Sequence, residues 1–157
     1  MTTYFGTSDH TLDEKGRLIL PGRIVDKVAR EDWGWFLSAG LDRCLLLHDA
    51  AGWAELTQRL GQSVPGSRAH RALCRRFLGH SEKVVPDSTK RIRIPDALMQ
   101  YAGLEASKGV VLVSTGRVTE IWAPGNLSTS LAEATVDEET LFAELIGTSK
   151  PSVSLGT

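Results

Sequence analysis

Apolar and polar positions alternate in short runs along this chain, and the runs predict short elements. Residues 4–12 read as an extended segment. Residues 13–16 read as a turn in which Gly16 suits a positive φ. Leu18, Ile19 and Leu20 form an apolar strand that Pro21 stops. Residues 22–30 predict a short helix with Ile24, Val25 and Val28 as its apolar positions. Two further strands, residues 35–39 and 44–47, join through Gly40-Leu41-Asp42-Arg43. Trp53, Leu56 and Leu60 recur at i, i+3 and i+7, which predicts an amphipathic helix. Residues 61–67 form the loop that ends it. Ser67 is placed to cap a second helix, which carries Ala69, Leu73 and Phe77 on one face.

The pattern then begins again. Asp13-Glu14-Lys15-Gly16-Arg17-Leu18-Ile19-Leu20-Pro21 returns as Asp87-Ser88-Thr89-Lys90-Arg91-Ile92-Arg93-Ile94-Pro95, and the offset (87 − 13, or 95 − 21) is 74. The second copy predicts strands at 83–85, 91–94, 110–113 and 119–122 and a helix at 96–102. An ungapped alignment from about residue 10 to residue 53 pairs Ile24 with Leu98, Phe36-Leu37 with Val110-Val111, Arg43 with Arg117 and Leu47 with Ile121. Halves of this size bury too little to fold alone, so they are expected to share one core through a pseudo-two-fold axis. Residues 127–134 and 138–146 read as helical. The Ser/Gly/Thr-rich end is expected to be a disordered tail.

Composition narrows the class. The 157 residues are 41% hydrophobic and 24% charged, as in a soluble globular protein. No apolar run approaches the ~20 residues of a bilayer span. The first residues lack the basic start and apolar stretch of a signal peptide, so a cytoplasmic location is expected. Cys44 and Cys74 form no Cys-x-x-Cys pair, lie among apolar residues and are expected to be buried thiols. The net charge of −1 hides an asymmetry: residues 1–93 carry +4 and residues 94–157 carry −5. The basic charge gathers near the two turns and in the segment joining them, which bears on nucleic-acid binding more than the total does.

Arg17 and Arg91 are the leading candidates for chemistry. A guanidinium offers a rigid fork of donors that suits phosphate oxygens or the O6/N7 edge of guanine. Asp13 and Asp87, four residues earlier, could accept backbone N–H groups or orient the arginines. One such pair could simply close a surface turn. Repetition at a fixed offset favours a doubled binding surface. Lys15, Lys90 and Arg93 add charge to it. Lys90 stands where the first copy has Gly16, so the second turn is expected to differ in shape, and Arg17 to matter more than Arg91. Arg68, Arg71, Arg75 and Arg76 form a stripe with three readings: acidic partners in this or a neighbouring chain, a nucleic-acid backbone, or plain solvation. The chain has no phosphate-binding, dinucleotide, nucleophile-elbow or zinc-protease motif. His70 and Cys74, at i and i+4, lack further ligands, so no metal site, cofactor, small-molecule substrate or catalytic residue is expected.

These residues resemble the MraZ family of bacterial transcriptional regulators. The likeness rests on Asp-x-Lys-Gly-Arg-Leu-x-Leu-Pro at 13–21, Cys44-Leu45-Leu46-Leu47 with Trp53, and Arg-Ala-Leu-Cys-Arg-Arg-Phe-Leu-Gly at 71–79. Ile94-Pro95, Tyr101-Ala102-Gly103-Leu104 and Glu120-Ile121-Trp122 complete it. The resemblance implies an α+β fold, mainly a β core with flanking helices: two pseudo-symmetric SpoVT/AbrB-like swapped-hairpin halves forming a shared small barrel. The resemblance gives a first repeat (7–50), a helical linker (51–80) and a second repeat (81–124); beyond it the residues themselves read as a C-terminal helical segment (125–147) and a tail (148–157). The resemblance also implies a ring-shaped homo-oligomer that binds double-stranded DNA in the nucleoid. Such a protein would negatively regulate the division and cell-wall gene cluster through upstream direct repeats. Carried over by position, Arg17, Arg91, Lys15, Lys90 and Arg93 would face DNA, with Asp13, Asp87 and Gly16 supporting the turns. The chain departs from the family at Lys90, at His48-Asp49 in place of Tyr-Pro, and after Trp122. The competing reading is an antitoxin-like protein-interaction module.

Overall fold

Short apolar runs become short strands. The computed structural model describes residues 3–29, 34–62, 66–133 and 137–147. The strands are β1 (Tyr4–Thr11), β2 (Arg17–Ile19), β3 (Trp35–Ala39), β4 (Leu45–Asp49), β5 (Glu82–Val84), β6 (Arg91–Arg93), β7 (Gly109–Gly116) and β8 (Thr119–Trp122). The helices are α1 (Gly22–Val25), α2 (Ala50–Gln62), α3 (Arg68–Phe77), α4 (Asp96–Ala102), α5 (Pro124–Glu133) and α6 (Asp137–Leu145). The architecture is α+β and mainly sheet. The predicted tail beyond residue 147 lies outside the described residues. Two units divide the chain, Met1–Leu127 and Ser128–Thr157.

In the first unit an antiparallel sheet runs in the order β1-β7-β8-β4-β3-β5, and β2 and β6 form a separate two-stranded ladder. Each half's first strand pairs in the other half: β1 with β7, and β5 with β3. Strands are thus exchanged between the halves. The axis relating them is visible in the register. Leu18 lies opposite its own repeat partner Ile92, and Leu46 lies opposite Glu120 (92 − 18 and 120 − 46 are both 74). A single core results. Leu18, Leu20, Ile24, Leu37, Leu45 and Leu47 pack with Ile92, Ile94, Leu98, Leu112 and Ile121, all buried.

The expected small barrel does not form among the described residues. The sheet is open, with β1 and β5 at its edges. β2 and β6 are only three residues long, and each chain soon reaches a proline, Pro21 or Pro95, that has no N–H to extend a ladder. They pair with each other and do not bridge the edges.

The ungapped alignment also fails at one strand. Leu37 pairs with Leu47 and Glu82, whereas Leu112 pairs with Ile121 and Ser8. Leu47 and Ile121, like Ser8 and Glu82, are 74 apart, so the counterpart of Leu37 is Leu112, 75 positions on. The hairpin turns absorb the slip. Gly40 N–H bonds to Cys44 across three residues, while Thr115 N–H bonds to Val118 across two. The displaced register is the one that buries Leu37 and Leu112 alike. Helix α1 is shorter than predicted, ending at Val25, where Ile24 and Val25 are both already buried. Ser67 caps α3 as expected, its hydroxyl accepting the His70 N–H at 2.9 Å. Cys44 is buried, but Cys74 is only half-buried. In the second unit, Leu141, Phe142, Leu145 and Ile146 are exposed.

Candidate nucleic-acid interface

Asp13 folds the first turn around its carboxylate. Oδ1 accepts the backbone N–H of Lys15 at 2.9 Å and of Arg17 at 2.8 Å, and Oδ2 accepts Arg17 Nε–H at 2.5 Å. Gly16 N–H donates to the Asp13 carbonyl, and Asp13 N–H to that of Arg17. Residue 16 needs a left-handed backbone, and Gly16 supplies it at φ 72°. A side chain there would also meet the Met99 sulfur, 2.8 Å from where its Cβ would stand.

The second turn has the same shape. Asp87 Oδ1 accepts Thr89 N–H at 2.9 Å, the Thr89 hydroxyl at 2.7 Å and Arg91 N–H at 3.0 Å, and Oδ2 accepts Arg91 Nε–H at 2.9 Å. Lys90 takes the place of Gly16 at φ 63°. The expected difference in shape is absent: four donors on one carboxylate impose the turn, and Lys90 bears a strain of about 1 kcal/mol. Its ammonium reaches Asp26 Oδ1 at 2.7 Å.

The hydrogen bonds keep both carboxylates ionised. The Arg91 N–H, followed by Thr89, holds Asp87 well below the usual carboxylate range. At Asp13 desolvation pulls the other way, but the bonds from Arg17 and Lys15 outweigh it and lower the pKa. Neither group suits general-acid chemistry.

Each arginine spends Nε on its aspartate, which fixes the guanidinium. Among the described residues, the Nη groups carry no hydrogen bond. The side chains of Arg17 and Arg91 remain 29% and 32% exposed. In the ladder, Arg17 lies opposite Arg93, Leu18 opposite Ile92, and Ile19 opposite Arg91. Alternation turns Leu18 and Ile92 into the core and Arg17, Ile19, Arg91 and Arg93 outward. Arg17 and Arg91 are diagonal neighbours, with Cα atoms about 7–8 Å apart. The two turns cap opposite ends of this ribbon. Lys15 is exposed beside the first turn. Arg93 is exposed and borders a groove with Glu82, Lys83, Pro95 and Asp96.

Sequence reasoning placed the arginines but missed two neighbours. Ile19 belongs to the apolar run Leu18-Ile19-Leu20, yet it is 57% exposed. The second copy held the signal, since Arg93 at the equivalent position marks it as outward. The Asp26 contact of Lys90 spans 64 positions and left no local trace. Arg68, Arg71, Arg75 and Arg76 are all exposed, and none forms an ion pair among the described residues. Arg71 Nη1 donates to the Gly66 carbonyl at 2.6 Å. His70 and Cys74 touch at 3.7 Å, and no group of three or more metal-ligating side chains occurs among the described residues. No described helix is long and apolar enough to cross a membrane.

A family model described as "MraZ protein, putative antitoxin-like" matches residues 3–76 and again residues 77–147. The chain belongs to the MraZ family. Curated relatives named "Transcriptional regulator MraZ" agree along most of their length. The Moorella thermoacetica protein is 35% identical over 91% of this chain and 96% of its own. The Dictyoglomus thermophilum protein is 36% identical over 76% and 79%, and the Micrococcus luteus protein 33% identical over 90% and 92%. These MraZ proteins are named as regulators, a family not known as enzymes.

Proposed function

We propose that this MraZ protein is a DNA-binding transcriptional regulator that works as a homo-oligomer, a closed ring, on double-stranded DNA in the nucleoid. The observation that carries the reading is the doubled Asp–Arg turn. It fixes two guanidinium forks on the outward face of a two-stranded ribbon, a shape the major groove admits. The name of its relatives supports the same reading. A net charge of −1 does not oppose it, because only one face need be basic. A ring would set several ribbons side by side, so weak contacts on direct repeats upstream of the division and cell-wall genes would add through avidity. Regulation there is read as negative.

A gel-shift and light-scattering series on the protein's own upstream region tests this. Binding is expected to weaken steeply as salt rises. Arg17→Ala and Arg91→Ala should weaken it comparably, since the turns share one shape. The double variant should lose affinity on the order of 10- to 100-fold and flatten the salt slope by about 2. Retained, salt-sensitive binding by the double variant would sink the residue assignment.

A second reading, an antitoxin-like interaction module, is favoured by one observation: acidic α6 leaves Leu141, Phe142 and Leu145 exposed. Deleting residues 124–157 separates the two. Unchanged DNA binding supports the first, while loss of a co-purifying protein supports the second.

A further inference from the structure

The ribbon's outward face obeys the pseudo-two-fold at one pair of positions and breaks it at the other. About the axis through Leu18 and Ile92, Arg17 maps onto Arg91, and both guanidiniums are held alike. Ile19 maps onto Arg93. The sugar-phosphate backbones of B-form DNA are themselves related by two-fold axes, whereas the base edges of a given sequence need not be. The matched pair therefore suits phosphates, which position, and the unmatched pair suits bases, which specify.

Ile19 is 57% exposed and belongs to neither buried hydrophobic cluster. Its cross-strand neighbour is Arg91, and the remaining outward side chains of the ladder are Arg17 and Arg93. An isoleucine ringed by arginines gains little from folding and gains when a partner covers it. The major groove offers one apolar group, the C5-methyl of thymine. We propose that Ile19 is a specificity-determining residue that packs on a thymine methyl, while Arg93 at the equivalent position takes a hydrogen-bonding base edge, so that the ribbon reads its site in one direction. The inference rests on the DNA-binding reading above.

The test compares two versions of the upstream duplex at one salt concentration, one made with thymidine and one with deoxyuridine throughout. Deoxyuridine removes the methyl and keeps the base pairing. By fluorescence anisotropy the wild-type protein should bind the uracil duplex about fourfold more weakly for each methyl contact. Ile19→Ala should bind the thymine duplex more weakly by the same factor and should not distinguish the two duplexes. An unchanged melting temperature would show that the variant is folded. Equal losses by both proteins would assign the methyl effect to duplex shape and overturn the proposal, as would no loss by either. If the wild-type protein binds neither duplex, the DNA-binding reading itself falls, a result distinct from binding without methyl discrimination.

Discussion

Lys90 carries a cost that Gly16 does not. Both stand in the left-handed region, at φ 63° and φ 72°, but only a residue with a Cβ is strained there. The ion pair with Asp26 offsets part of this. Its side chains are 40% and 58% exposed, and pairs this open contribute well under 1 kcal/mol. The strain exceeds the pair, so Lys90→Gly is expected to stabilise the fold by up to about 1 kcal/mol. Chemical denaturation would show this as a raised midpoint at constant slope. A lowered midpoint would mean that the Asp26 contact is worth more than the backbone strain. The turn should keep its shape, because Asp87 forms it through the Thr89 and Arg91 N–H groups, so a loss of DNA affinity in this variant would come from the missing Lys90 charge.

At the scale of elements, most strands were legible because alternation and turn residues are local signals. The spans 35–39, 96–102 and 119–122 have the bounds that the sequence predicts. What escaped depends on distant partners: the one-residue slip of β7, and the bond that ties the cap of α2 to β1. Asp49 accepts the Gly52 N–H at 2.7 Å and the Tyr4 hydroxyl at 3.1 Å, and only the first of these is local. Helix α2 docks where Trp53 stacks on Phe36 at 5.0 Å and tilts against His48 at 5.5 Å. His48, buried there, is expected to make the fold acid-sensitive. Burial pushes His48 down to about 4, with Asp49 pulling weakly the other way. Folded His48 stays neutral between pH 6.5 and about 4, while the unfolded chain takes up a proton there. Stability from this site is therefore full above pH 6.5 and falls as the pH drops to about 4, by about 3 kcal/mol at most. Urea midpoints at pH 7.5 and 4.5 would measure the fall. His48→Gln, which cannot titrate, should reduce it. An unaltered fall in that variant would assign the acid sensitivity to other groups.

For the first unit as a whole, the exchange of strands decides how it folds. The sequence repeat invites the picture of two small domains in tandem, each keeping its own strands. The pairing of β1 with β7 and β3 with β5 excludes that picture, as does the meeting of Leu18 with Ile92 on the axis. A lone first repeat would leave β1 without β7, β3 without β5 and β4 without β8. It would also expose Leu18, Leu45 and Leu47, now buried. Each large aliphatic side chain returned to water costs about 1.5–3 kcal/mol, and a few such losses equal the whole stability of a typical domain. Residues 1–80 and 81–157 made separately should therefore each lack a cooperative thermal transition by circular dichroism. Mixed, they should regain sheet signal and melt with a midpoint that rises with concentration, because the joint core must then form between two molecules. A cooperative transition in either fragment alone, with a midpoint independent of concentration, would show that a half can fold by pairing within itself. The doubled turn would then be two separate surfaces joined by a linker, and not one ribbon.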